Sequence, residues 1–290
     1  MEVIRSLPRM TEWSDQMVRA GRSIAFVPTM GYFHEGHLSL MRMARKQAEC
    51  VVVSLFVNPI QFGPAEDLSH YPRDFERDKA MAAREGIDVL FSPEVKEMYP
   101  EGALSKVTVD KLGLTLCGAS RPGHFDGVTT VVAKLFNLVR PQCAVFGSKD
   151  FQQLAIIRRM VKDLNWGIDI LAHPIVREDD GLAMSSRNTY LDKYSRPSAL
   201  CLYNAIKMAR KRVMAGFSEA EKLVIELREL ILSYGNVEIE YIDIVDRDDL
   251  MTQDKINAES FLVMAVKVGN TRLIDNDHLG ILLGNIVTRI

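Results

Sequence analysis

The sequence predicts an α/β protein: a doubly wound parallel sheet followed by a smaller α+β region with an antiparallel sheet. Two rhythms carry this prediction. Short apolar runs alternate with helix-period stretches through the first part of the chain, whereas beyond about Asp180 two helical stretches precede three strand-like runs. A third observation fits the same architecture. The least ordinary sequences stand directly after apolar runs, at the strand ends where open α/β sheets bind ligands.

The first run, Ser23 to Val27, is short, apolar and β-compatible. Behind it Leu38, Leu40, Met41 and Ala44 recur at helical spacing within a helix expected over His37 to Gln47. Cys50 to Val57, the longest dense apolar stretch, is the second strand, and Arg73 to Glu85 is the helix that follows it. The alternation continues with a strand over Asp88 to Phe91, a helix over Val128 to Val139, a strand over Cys143 to Phe146, a helix over Phe151 to Asn165 and a strand over Ile168 to Ala172. After a loop around Asp180 come helical stretches over Pro197 to Ala215 and Ser218 to Ser233, then strands over Glu238 to Val245, Phe261 to Val268 and Asn270 to Ile274. The Gly269-Asn270 break fits a hairpin. The change of rhythm sets expected bounds of 1–179 for the parallel-sheet region and 180–290 for a C-terminal lid.

Bulk properties narrow the function. With 290 residues, 47% of them hydrophobic, the chain can bury a real core. A formal net charge of -2 and a pI near 6.3 argue against a primary nucleic-acid binder. Cys50, Cys117, Cys143 and Cys201 are far apart and form no Cys-x-x-Cys pair, so neither a disulfide framework nor a zinc ribbon is indicated. Met1 to Met10 holds no apolar run of signal-peptide length, and no stretch approaches a membrane span. A cytoplasmic protein with a small-molecule partner is expected.

The segment Pro28-Thr29-Met30-Gly31-Tyr32-Phe33-His34-Glu35-Gly36-His37 joins the first strand to its helix. A helix start presents free N–H groups and partial positive charge, a glycine there lets a phosphate approach the backbone, and His34 and His37 add donors. Gly31 and Gly36 have the glycine spacing of a Walker loop, but His37-Leu38 replaces the lysine and hydroxyl such a loop needs. A zincin helix needs His-Glu-x-x-His, and these histidines are only three apart. A phosphate site is the leading reading, with zinc a minor one and an ordinary polar loop the plain alternative.

Two later loops add charge. In Gly147-Ser148-Lys149-Asp150 a compact ammonium stands at a strand-to-helix junction, where it can follow a phosphate, and Asp150 can meet a ribose hydroxyl or cap the helix. Met184-Ser185-Ser186-Arg187 pairs two hydroxyls with a guanidinium fork suited to phosphate oxygens. Taken singly, each is as ordinary as a surface ion pair or a polar connection. Together with Asn58-Pro59-Ile60-Gln61-Phe62-Gly63 after the second strand, they are expected to converge on one crevice.

With these loops in this order the chain resembles the family of pantoate and β-alanine ligases, the pantothenate synthetases. The likeness covers essentially the whole length. Phe56 to Gly63, Tyr71-Pro72-Arg73-Asp74, Arg121-Pro122-Gly123-His124-Phe125-Asp126-Gly127-Val128 and Val176-Arg177-Glu178 also match its pattern. The resemblance implies a Rossmann-like domain of the nucleotidyltransferase superfamily, with a His-x-Gly-His type of motif, that adenylates pantoate and then forms an amide. By matching position, Met30, Gly31, Tyr32, Phe33, His34, Glu35, Gly36 and His37, with Gly147, Ser148, Lys149, Asp150, Val176, Met184, Ser185, Ser186 and Arg187, would surround ATP. His34, His37, Lys149 and Arg187 would be catalytic. Gln61 and Gln153 would contact pantoate, with Gln61 also near β-alanine. Mg2+ and a homodimer are implied as well. Ser148 departs from the pattern, since many members would carry an acidic residue there. A nucleotidylyltransferase that stops at the activated product, an aminoacyl-tRNA synthetase-like protein, a non-catalytic nucleotide binder and a metal-dependent hydrolase are the alternatives.

Overall fold

The computed structural model describes residues 1–64 and 66–280, so the last ten positions of the expected 180–290 region lie outside the described residues. Six parallel strands form the main sheet: β1 (Glu2–Ile4), β2 (Ile24–Thr29), β3 (Cys50–Leu55), β4 (Val89–Phe91), β5 (Cys143–Gly147) and β6 (Asp169–His173). Their order is β1-β4-β3-β2-β5-β6. Winding therefore runs outward from β2 through β3 and β4, then reverses through β5 and β6. The crevice of such a sheet opens at the reversal, between the carboxyl ends of β2 and β5.

Apolar side chains cover both faces, as parallel strands require. On one face Phe26, Val52, Val89 and Ala144 pack with the helices Leu7–Arg19, His124–Val139 and Phe151–Asp163. On the other, Val27, Val51, Leu90 and Val145 pack with Leu40, Met41 and Ala44 of the helix Glu35–Arg45 and with Ala82 of the helix Phe75–Arg84. Three antiparallel strands follow, β7 (Val237–Asp246), β8 (Ser260–Val268) and β9 (Thr271–His278), with the helices Cys201–Met214 and Ala220–Leu232 packed against them. Phe261 of β8 stacks on Phe151 at a centroid distance of 4.4 Å, joining the second sheet to the first core. Cys50, Cys117, Cys143 and Cys201 are all free and buried. No helix among the described residues is long and apolar enough to cross a membrane.

The expected alternation is present, with differences at several boundaries, among them the helix expected from Val128, which begins at His124. β1 and the helix Leu7–Arg19 lie ahead of the first expected strand. The helix after β2 begins at Glu35, two residues early, which brings His37 into its first turn. β9 continues past Ile274 through Asp275, Asn276 and Asp277, all of them buried.

Candidate active site

The crevice at the β2/β5 reversal encloses about 230 Å³. Met30, Gly36, His34, His37, Gln61, Gly147, Lys149, Asp150, Gln153, Val176 and Met184 to Arg187 all line it, so the strand-end loops meet as expected. Gly31, Tyr32, Phe33, Glu35 and Ser148 do not. Phe33 is fully buried in the core beside the helix Glu35–Arg45, Tyr32 lies under the Arg77 guanidinium, and Glu35 pairs outward with Arg42. Residues of the same loop thus divide between the crevice and the support behind it.

Support for the histidine loop comes from Asp78, which sequence reasoning did not single out. Its carboxylate, 1% exposed, accepts from the backbone N–H groups of Tyr32 (2.6 Å) and Phe33 (2.7 Å). Arg77 donates to the Phe33 carbonyl at 2.8 Å from the same helix. A signal existed: Asp78 interrupts the buried face formed by Phe75 and Ala82, and a carboxylate at a core position needs partners.

The two histidines act as one unit. His34 caps the helix and donates its backbone N–H to Nδ1 of His37 at 3.3 Å, and the rings lie 4.1 Å apart. A β-carbon on Gly36 would approach the His34 ring to 2.9 Å, so a larger residue there would push the ring from its place. Burial, then Lys149, push the His34 pKa down to about 4, while burial, His34 and Lys149 hold His37 well below its ordinary value. Both rings are therefore neutral near pH 7. Because His37 Nδ1 accepts a hydrogen bond, its proton resides on Nε2, and the ring is a neutral donor rather than an acid.

Gln61 is 8% exposed and held from several sides. Its amide oxygen accepts from Asn58 Nδ2 (3.0 Å), and Asn58 in turn accepts from the Tyr99 hydroxyl (2.8 Å). His124 Nδ1 donates to the Gln61 carbonyl at 2.8 Å, which leaves His124 Nε2 to accept from Arg121 at 3.0 Å. Glu66 holds Arg121 in place through two contacts, at 2.7 and 2.5 Å. A β-carbon on Gly127 would strike the Ile60 carbonyl at 2.6 Å, so this glycine lets the Pro59–Gln61 turn lie against the helix His124–Val139. The stretch from Arg121 to Val128 thus serves to fix an amide on the crevice wall.

The charged groups line the same crevice. Lys149 Nζ is 3.7 Å from Asp150, and Asn276 of β9 donates to the carbonyls of Ser148 and Lys149, each at 2.9 Å. Ser185 Oγ accepts from the Arg187 N–H at 3.3 Å, and Ser186 meets the Tyr71 hydroxyl at 3.2 Å. The Arg187 guanidinium is already engaged: Nε and Nη2 donate to the two oxygens of Asp67 at 3.0 and 2.9 Å. Burial opposes it, yet Arg187 keeps the Asp67 carboxyl below its ordinary pKa, so the pair is ionised. Sequence reasoning left Arg187 with both edges of its fork open.

Chemically, the crevice combines neutral histidine donors, cations and buried amides. Among the described residues no group of three or more His, Cys, Asp or Glu side chains could hold a metal ion, and Asp150 is the only carboxylate lining the crevice.

Comparison with known proteins identifies the family. The sequence profile of the family described as Pantoate-beta-alanine ligase matches residues 2–278. The pantothenate synthetase of Syntrophobacter fumaroxidans is 53% identical over 276 residues, 95% of this chain and 98% of that protein. That of Caldicellulosiruptor bescii is 50% identical over 276 residues, with the same coverage. Among solved structures, a pantothenate synthetase from Thermus thermophilus superposes with a TM-score of 0.90 at 42% identity, covering 96% of this chain and 99% of that one. A pantoate-beta-alanine ligase from Francisella tularensis, complexed with beta-gamma ATP and beta-alanine, gives 0.80 at 32% identity, covering 96% and 98%. On a match that spans both sheets and every loop of the crevice, the chain belongs to the pantoate-beta-alanine ligase family.

Proposed function

We propose that the chain joins pantoate to β-alanine at the expense of ATP, through a pantoyl adenylate, releasing pyrophosphate and AMP. The observation that carries the reading is the pair of neutral histidines lining one crevice with Lys149 and the buried amide of Gln61. A carboxylate does not acylate an amine at neutral pH, because its oxide leaves poorly. Attack of the pantoate carboxylate on the α-phosphorus of ATP makes an anhydride whose AMP leaves easily.

In the first step charge grows on the phosphate oxygens. His37 Nε2–H and the His34 ring donate to them without giving up a proton, and Lys149, Ser185, Ser186 and Arg187 supply the opposite side. Donors fixed before the reaction cost no reorganisation during it. Of the ATP-facing segments, Gly31, Tyr32, Phe33, Glu35 and Ser148 would contribute backbone and support, while Met30, Gly36, Gly147, Asp150, Val176 and Met184 contribute surface. Gln61 and Gln153, amides that both donate and accept, suit pantoate's carboxylate and hydroxyls. Asp150, a single carboxylate beside the phosphate path, fits a Mg2+ that arrives on ATP and keeps most of its waters. Bound there, the ion would shield the polyphosphate charge.

In the second step the β-alanine amine attacks the pantoyl carbonyl, and the protein's task is positioning. No enzyme nucleophile is needed, in keeping with four buried thiols. Residues 1–179 would bind ATP and pantoate and 180–290 would close over them. The working form would be a cytoplasmic homodimer without nucleic-acid or membrane partners; the net charge of -2 supports the first of these absences.

The test follows AMP and pyrophosphate with pantoate present, with and without β-alanine. Pantoate alone should support exchange of pyrophosphate into ATP, and AMP should accumulate only when β-alanine is added. Exchange without β-alanine-dependent AMP would indicate a nucleotidylyltransferase instead. ATP binding without any exchange would indicate a non-catalytic binder.

A further inference from the structure

The Lys149 turn is held by a strand from the other sheet. Ser148–Asp150 forms a single 3-10 turn between β5 and the helix Phe151–Asp163. Asn276 Nδ2 donates to both the Ser148 and the Lys149 carbonyls at 2.9 Å, across 128 and 127 residues of sequence. Asn276 is 5% exposed, and the two bonds are partly buried. One residue further on, Phe151 stacks against Phe261 of β8. The turn is thus gripped on its backbone and at its exit.

The neighbours of Asn276 show why an amide stands there. Asp275 accepts from Arg177 Nη1 and Nη2 at 2.7 and 3.0 Å, and Asp277 accepts from Arg210 at 2.6 and 2.5 Å. Both flanking carboxylates face guanidinium donors. The middle side chain faces two carbonyl oxygens, which accept only, so a carboxylate at 276 could not replace the amide. Arg177 also donates to the Gly181 carbonyl at 3.0 Å, and the Val176 carbonyl accepts from Met184 N–H at 2.9 Å. The same dipeptide of β9 therefore braces the loop that leads into Met184 to Arg187.

We propose that Asn276 is a positioning residue for the reaction: its amide sets the Lys149 turn at the distance from the histidine wall that phosphate transfer needs. The proposal rests on the reading of Lys149 as a donor to the reacting phosphate. A lysine on a turn free to shift by an ångström would still bind ATP but would meet the growing charge poorly, and misplacement on that scale can cost about 100-fold in rate. Asn276 touches no substrate in this scheme. Its effect passes through the position of Lys149.

The experiment measures pantoate-dependent pyrophosphate exchange for Asn276→Asp and Asn276→Ser in the full chain, each with Lys149 intact and in a Lys149→Ala background. With Lys149 present, Asn276→Asp should lower the maximal exchange rate by about 10- to 100-fold while the ATP and pantoate KM values change by less than about 3-fold. Asn276→Ser keeps one donor and should fall between Asp and the parent; it also carries the comparison if the Asp variant fails to fold. In the Lys149→Ala background both substitutions should cost less than about 3-fold, because the group they position is gone. Equal fractional losses in the two backgrounds, or no loss in Asn276→Asp, overturn the proposal while leaving the role of Lys149 standing. Near-normal exchange in Lys149→Ala alone overturns the role of Lys149 and the proposal with it.

Discussion

The two walls of the crevice are built on opposite principles. Met30 to His37 is fixed from behind by Asp78, buried at 1% exposure and bonded to two backbone N–H groups, and its histidines hold each other. Met184 to Arg187 is fixed from the front, by an ion pair to Asp67 and a hydroxyl contact to Tyr71. The first wall presents neutral donors that await a ligand. The second presents a guanidinium whose best donors already have a carboxylate, so an incoming phosphate must share it or displace it. Rigidity and readiness for charge thus sit on different loops of the same site.

The contrast predicts unequal responses to substitution. His37→Ala and Lys149→Ala should each lower pantoate-dependent pyrophosphate exchange by at least about 100-fold, with circular dichroism unchanged, because each removes a preorganised donor. Near-normal exchange in both would break the assignment of roles. Gln61→Ala should come next, raising the pantoate requirement by about 10-fold or more and the ATP requirement much less, since a lost buried polar contact costs about 1–3 kcal/mol. Unchanged pantoate saturation would remove Gln61 from the pantoate wall.

A third prediction concerns acid. Burial, then Arg121, depress the His124 pKa to about 4 in the folded protein against an ordinary 6.5, so the unfolded chain takes up this proton first. The contribution is fully present above pH 6.5 and is lost as pH falls towards 4. At pH 5 the loss amounts to at most about 2 kcal/mol. Thermal unfolding between pH 7 and 5 should therefore show a smaller decline in His124→Asn than in the parent, and parallel declines would refute the linkage. The smallest effect is expected from Asp67→Asn. Releasing Arg187 from a partly exposed pair worth about 0.2–1 kcal/mol should tighten apparent ATP affinity by up to about 5-fold. A loss of activity as severe as that of His37→Ala would erase the distinction between the two walls.

What could be read in the sequence was local, and what escaped it was remote. The alternating strands and helices declare themselves within windows of ten residues, and the crevice loops stand at strand ends. β1 has only three residues, too few for any period, and the helix Leu7–Arg19 opens on Pro8, which looks like a turn. At the first turn of a helix proline's missing N–H costs nothing, and Ser6 caps the end by accepting from Arg9 N–H. In sequence β9 stops at Ile274, because Asp275-Asn276-Asp277 reads as solvent-facing. Its partners are Arg177, the Ser148 and Lys149 carbonyls and Arg210, all at least 67 residues away. Asp78 escaped for the same reason, since the N–H groups it serves lie 45 and 46 residues earlier.

The four thiols give the molecule a set of internal clocks. Cys50 and Cys143 lie in adjoining layers of the parallel sheet, Cys117 borders the cleft between the sheets, and Cys201 is under the helices of the antiparallel one. Burial pushes Cys143 up to about 11 and Cys201 to about 12, so neither forms appreciable thiolate until its surroundings open. Alkylation at each position therefore times the opening of a different layer. A ligand that joins the two walls should slow the clock at Cys117 before it slows the one at Cys201.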